Sequence, residues 1–182
     1  MHQERHGPYM SKFLIIYAST TGNTKMIAEE IYNSIKVPDY EKELVDIRNW
    51  NGTHEGETYF IGFWVNRGTC SLEIIDLLSS LHGKNIALFG TCGTGDKCGY
   101  FSAIEKSVTA WVADDNNYLG SYFCQGKMPA RIRVKYECLS EKVGKEKADL
   151  MIANYDEALK HPDKQDLLKA NIFADEVIKK AK

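Results

Sequence analysis

The chain has 182 residues, 43% of them hydrophobic, enough for one domain with a substantial core and too few for two comfortable ones. Lys plus Arg number 23 against 25 Asp plus Glu, a net charge of −2, so bulk charge points to neither nucleic acid nor an anionic membrane. No apolar run approaches the roughly 18 residues of a membrane span, and "MHQERHGPYM" has no apolar centre for a signal peptide, so a cytoplasmic location is expected. The five cysteines (70, 92, 98, 124 and 138) are odd in number and form no C-x-x-C pair, which argues for reduced thiols over a disulfide framework or a zinc ribbon.

Residues 1–9 read as a tail, native or added, ahead of a single domain over 10–182. The apolar run Phe13–Ala18 predicts a first strand, and it stops at the turn "STTGNT". A helix follows with Ile27, Ala28, Ile31 and Ile35 on one face, ended by Val37-Pro38 because the residue before proline avoids the helical region. Glu43–Ile47 predicts a short strand and Thr58–Trp64 a buried one. The second helix carries Ile74, Ile75, Leu78 and Leu81 and stops at Gly83. "NIALFG" predicts the fourth strand, and a helix with Phe101, Ile104, Val108, Trp111 and Val112 inward follows. "YLGSYFC" predicts the fifth strand. The last helix is expected after "HPDKQ", with Leu167, Ala170, Ala174, Val177 and Ile178 inward. Short apolar strands alternating with helices imply right-handed βαβ crossovers and a parallel sheet covered on both faces. An insert at about 126–160 interrupts the pattern. Its start alternates like a strand at Ala130, Ile132, Val134 and Tyr136, whereas Ala148, Ile152 and Tyr155 are spaced for a helix, and the insert as a whole is expected to be mostly helical.

In an open parallel sheet, ligands bind beyond the carboxyl ends of the strands where the strand order reverses. Three turns on that edge therefore belong together. The first, Ser19-Thr20-Thr21-Gly22-Asn23-Thr24, offers four hydroxyls ahead of a helix N-terminus, a site for phosphate. Neither a Walker loop nor a G-x-G-x-x-G fingerprint is present. Capping would account for one or two hydroxyls, but not for four with Gly and Asn in six positions.

This turn resembles the phosphate loop of the flavodoxin family, Thr/Ser-x-Thr-Gly-x-Thr, met here by Ser19, Thr21, Gly22 and Thr24. The resemblance runs from the first strand to the last helix. It implies a flavodoxin-like doubly wound α/β fold with five parallel strands in the order 2-1-3-4-5, holding FMN noncovalently. In that family the loop takes the FMN phosphate without basic side chains. The turn after strand three, Trp64-Val65-Asn66-Arg67-Gly68, then holds the flavin ring, with Trp64 as the stacking aromatic. Flavodoxins usually carry acids there, whereas this chain has Asn66 and Arg67, and a cation beside the ring would stabilise the anionic reduced flavin. The turn after strand four, "GTCGTGDKCGYF", resembles the family's Gly-x-Gly-Asp…Tyr-Phe loop through Gly93, Gly95, Asp96, Tyr100 and Phe101. Thr91, Cys92, Gly93, Gly95 and Asp96 are therefore expected to bind the ring. Tyr100 is spaced either to stack on it or to start the next helix.

Cys92 and Cys98, with five residues between them, match no thiol-exchange motif. The five scattered histidines suggest no metal site, and no residue is assigned as a catalytic acid, base or nucleophile. The insert opens with Lys127, Arg131, Arg133 and Lys135, a run that suits an acidic partner surface or merely a solvated face. The ending "HPDKQDLLKANIFADEV" and the "FWVNRGT" loop look like a group of small bacterial flavodoxin-like proteins, some thought to assist partner reductases, bilirubin reductases among them. The expectation is an electron carrier for a partner reductase. An NAD(P)H-dependent quinone or nitro reductase and a flavin-free binding module are the alternatives.

Overall fold

The computed structural model describes residues 10–181; the proposed tail at 1–9 lies outside the described residues. Five parallel strands form one sheet in the order β2-β1-β3-β4-β5. These are β1 (Met10–Tyr17), β2 (Lys42–Asp46), β3 (Glu55–Trp64), β4 (Asn85–Cys92) and β5 (Asn117–Gln125). The order reverses direction beside β1, which pairs with β2 on one side and with β3 on the other. That switch opens the crevice in which the turn after β1 lies.

The alternation along β1 divides the core. Leu14 and Ile16 point to one face and pack with Ile74, Leu77 and Leu78 of α2 (Leu72–Ser80) and with Ile104 and Val108 of α3 (Tyr100–Thr109). Phe13 and Ile15 point to the other, against Ile27 and Ile31 of α1 (Asn23–Ser34) and Phe173 and Val177 of α7 (Lys164–Lys180). Both faces of the sheet are thus apolar, as parallel crossovers require. Gly83 takes the left-handed conformation past α2 (φ +64°) that its position suggested.

Several elements depart from the sequence expectations. β4 runs on through Thr91 and Cys92, so both are strand residues, paired with β5 and buried. α3 ends at Thr109, which leaves Trp111 46% exposed instead of inward. α7 starts at Lys164, ahead of the expected boundary, because Asp163 closes a capping box: its carboxylate accepts from the Gln165 and Asp166 amides, and Asp166 accepts from the Asp163 amide. Leu167 and Ile178 are only partly buried there.

The segment that alternates like a strand is a helix. α4 (Ala130–Cys138) is followed by α5 (Ser140–Val143) and α6 (Lys145–Ala158). Ala130 and Val134 are exposed, whereas Ile132 and Tyr136, one helical turn apart, are partly covered. The four-residue step decided the structure and the two-residue step was incidental. The insert is tied at both ends. The Gly126 amide donates to the Cys92 carbonyl at 2.9 Å and the Lys127 amide to the His161 carbonyl at 3.1 Å. His161, Asp163 and Asp166 lie close enough to share a cation, but their contacts are those of the α7 cap, with the His161 imidazole 2.6 Å from Asp166.

Candidate functional site

A cavity of about 570 Å³ opens at the carboxyl edge of the sheet, in the size range of small-molecule and cofactor sites. The turn after β1 lines it with Thr20, Thr21 and Asn23. Chain geometry explains how this turn is built. Gly22 sits at the N-cap of α1 with φ +87°, a conformation that costs a residue with a Cβ, and the Gly22 amide donates to the Ser19 hydroxyl at 3.2 Å. Among the described residues no side chain accepts a hydrogen bond from the first turn of α1, and no acid lies in that turn. A 12-residue helix thus points uncapped N–H groups and the positive end of its dipole at a surface rich in hydroxyls. α7, by contrast, is fully capped by Asp163. Capping does not explain the four hydroxyls.

Asn23 and Thr24 are buried, and each is tied to another part of the cavity wall. The Asn23 amide nitrogen donates to the Thr21 hydroxyl and to the Lys127 carbonyl, both at 2.9 Å. The Thr24 hydroxyl lies 2.9 Å from that of Thr91. Thr21 accepts in its bond and keeps its own O–H free to donate.

The turn after β3 supplies Trp64, Val65, Asn66 and Arg67 to the cavity. Asn66 and Thr69 exchange two backbone hydrogen bonds, at 2.8 and 3.2 Å, across Arg67 (φ +54°) and Gly68 (φ +85°). Two consecutive residues of positive φ make this a tight reversal of the mirror-image kind. The turn holds Arg67 at the cavity rim, and the Val65 amide ties it to the Thr91 carbonyl at 2.9 Å.

From the third turn, Thr91, Cys92, Gly93, Thr94 and Tyr100 line the cavity. Tyr100 does so as the first residue of α3. Burial, with a smaller contribution from Cys92, pushes its phenol up. Cys92 donates to the Thr94 carbonyl, and burial raises its thiol to about 11, so it stays protonated and unreactive at neutral pH. Asp96 lies off the cavity wall, where its carboxylate accepts from the Phe101 amide and caps α3. Ser19, Gly22, Thr24, Gly68 and Gly95 are also behind or beside the wall; they shape the turns whose neighbours face the cavity.

The insert forms the rest of the wall. Met128, Ile132 and Tyr136 line it along with Lys127, Arg131 and Lys135. The basic run was visible in the sequence; the apolar row beside it was hidden in the apparent strand alternation. Further back, two amides converge on one carbonyl of the third turn. Gln125 donates to the Gly93 oxygen at 3.0 Å, and Asn154 of α6 donates to the same oxygen at 2.9 Å. No local pattern announces a contact between residues so far apart in the chain. Among the described residues no Asp or Glu lines the cavity, whereas four cations do.

Residues 14–175 match the family model described as "Flavodoxin domain". The chain belongs to the flavodoxin family. It is 35% identical over 172 residues to a "Flavodoxin-like domain-containing protein BilS" of Clostridioides difficile, covering 93% of this chain and 98% of that one. A protein of the same name from Clostridium symbiosum is 30% identical over 175 residues, covering 86% and 90%. Among solved structures, a flavodoxin of Streptococcus pneumonia TIGR4 superposes with a TM-score of 0.57 at 14% identity, over 92% of this chain and 98% of that one, a likeness of fold alone. Three helices stand between β5 and α7, and α4 with its approach lines one side of the cavity. No helix among the described residues is long and apolar enough to cross a membrane.

Proposed function

We propose that this flavodoxin binds FMN in the carboxyl-edge cavity and carries electrons to a partner reductase, one of the bilirubin reductase kind. The observation that carries the cofactor assignment is the uncapped N-terminus of α1 with Thr20 and Thr21 beside it, opening into the same cavity as Trp64 and Gly93. The donors there are neutral, as a phosphate monoester held by backbone N–H and hydroxyl groups requires. FMN, when bound, supplies one- and two-electron chemistry that no side chain here can perform. The chain's own residues bind and orient. Thr20, Thr21 and the first N–H groups of α1 take the phosphate; the turns after β3 and β4 hold the ring; Arg67 places a positive charge beside it. The two relatives called BilS support the partner.

A second reading has one observation in its favour. The insert covers part of the cavity, as a substrate pocket in an NAD(P)H-dependent oxidoreductase would require. Absorption spectra of the purified protein titrated with FMN, followed by anaerobic addition of NADH or NADPH, test both readings. FMN uptake that Thr21→Val weakens by about tenfold, the loss of one hydrogen bond to a charged group, is the expected result. Slow reduction by both nucleotides supports the carrier, and rapid reduction the enzyme. Failure to take up FMN refutes the assignment.

A further inference from the structure

The insert brings two parallel rows of side chains to the cavity. Lys127, Arg131 and Lys135 form one, and Met128, Ile132 and Tyr136 the other. Arg131 and Lys135, and likewise Ile132 and Tyr136, stand about one turn apart on α4, while Lys127 and Met128 lie in the approach before its first residue. A cationic strip and an apolar strip therefore run side by side along α4 and its approach. The apolar strip is anchored. Met128 packs on Gly93 so closely that an added Cβ there would lie 2.5 Å from its sulfur, and the Tyr136 hydroxyl stands 4.0 Å from the same atom.

The three cations of the strip are exposed to solvent and line the cavity. Arg133, which interrupts it in sequence, turns away to Glu137 and Asp156 and does not line the cavity. Among the described residues Lys127, Arg131 and Lys135 take part in no ion pair. A phosphate held by the neutral donors of the first turn leaves this charge unused. Charge without a partner, arranged along a cavity beside an apolar strip, calls for an anion with an apolar body.

We propose that the α4 wall binds a second ligand, a largely apolar organic acid. Its body lies along Met128, Ile132 and Tyr136, and its carboxylates meet Lys127, Arg131 and Lys135. The planar guanidinium of Arg131 suits a carboxylate in two-point contact. The proposal rests on the reading of the remaining wall as an FMN site, and it gives that site a small-molecule ligand class.

Naphthalene-2,6-dicarboxylate is the probe and its neutral dimethyl ester the control, each titrated calorimetrically into the FMN-loaded protein. The wild type is expected to bind the diacid about tenfold more tightly than the ester. The double variant Arg131→Gln, Lys135→Gln loses that preference, Arg133→Gln keeps it, and FMN affinity is unchanged in both. Equal diacid affinity in wild type and double variant overturns the proposal, and so does undetectable diacid binding. A loss of FMN affinity in the double variant also overturns it, because the cations would then serve the flavin. Repeating the titration without FMN separates the two readings. Diacid binding sensitive to the double variant in a chain that takes up no FMN retains the anion site and refutes the flavin assignment. FMN uptake without diacid binding does the reverse.

Discussion

Replacing Thr24 by Val removes one hydroxyl at nearly constant volume and leaves another stranded. Thr24 is 1% exposed and Thr91 3%, and their hydroxyls meet at 2.9 Å at the junction of α1 and β4. A hydrogen bond of this kind contributes about 1 kcal/mol net, but burying its former partner unsatisfied costs about 1–3 kcal/mol. Thr24→Val should therefore destabilise the protein by about 2 kcal/mol, or about 4–8 °C in Tm for a chain of this size. Thr91→Val should behave alike. The double variant, in which two methyl groups face each other, should lie close to the wild type, giving a coupling of about 4 kcal/mol, as large as the two single losses together. Urea unfolding of the FMN-free protein measures this without the contribution of ligand binding, and an unchanged m-value shows that the native and denatured states are comparable. A double variant as unstable as the sum of the singles refutes the account, since each hydroxyl would then be acting through contacts of its own.

Gly62→Ala places a Cβ 2.1 Å from the end of the Phe89 ring, which is fully buried and has no space to move into, so a loss of about 1–3 kcal/mol is expected by urea unfolding. Arg67→Ala should lower the potential of the second flavin reduction step by on the order of tens of millivolts, read by anaerobic redox titration, with less effect at high salt. For His161, burial pulls the imidazole down but the Asp166 hydrogen bond and the charges of Asp166 and Asp163 outweigh it, so the folded value lies above the unfolded one. A raised value means that the stabilisation is fully present below the unfolded value of about 6.5 and is lost as pH rises through the folded one. The Tm difference between wild type and His161→Gln should accordingly shrink with rising pH across neutrality; a constant difference would show that packing, not charge, carries it.

The strands and their order were legible because each carries a compact apolar run and the crossovers permit few arrangements. Boundaries were less so. The end of β4 was hidden because Thr91 and Cys92 look like loop residues, yet both pair with β5. The start of α7 was obscured because Asp163 and Asp166 form the capping box in place of the usual Ser or Thr and Glu. In α4, exposed Ala130 and Val134 supplied a false two-residue period. Of the cavity, the three turns could be read from their hydroxyl, aromatic and glycine content. The insert wall could not, because which residues of an amphipathic stretch face a cavity is fixed by distant contacts such as Asn154 on Gly93 and Asn23 on Lys127.

The tie between the Lys127 amide and the His161 carbonyl means that the insert leaves the fold and rejoins it at one place. Everything between is a closed excursion, so β5 and α7 need not shift to admit it. In engineering terms the segment is a cassette: a bridge of a few residues from Gly126 to Pro162 would yield a shorter flavodoxin with the same sheet. What it would forfeit is the clasp of Asn154 on Gly93 and the α4 wall, so the same splice turns a covered crevice into an open one.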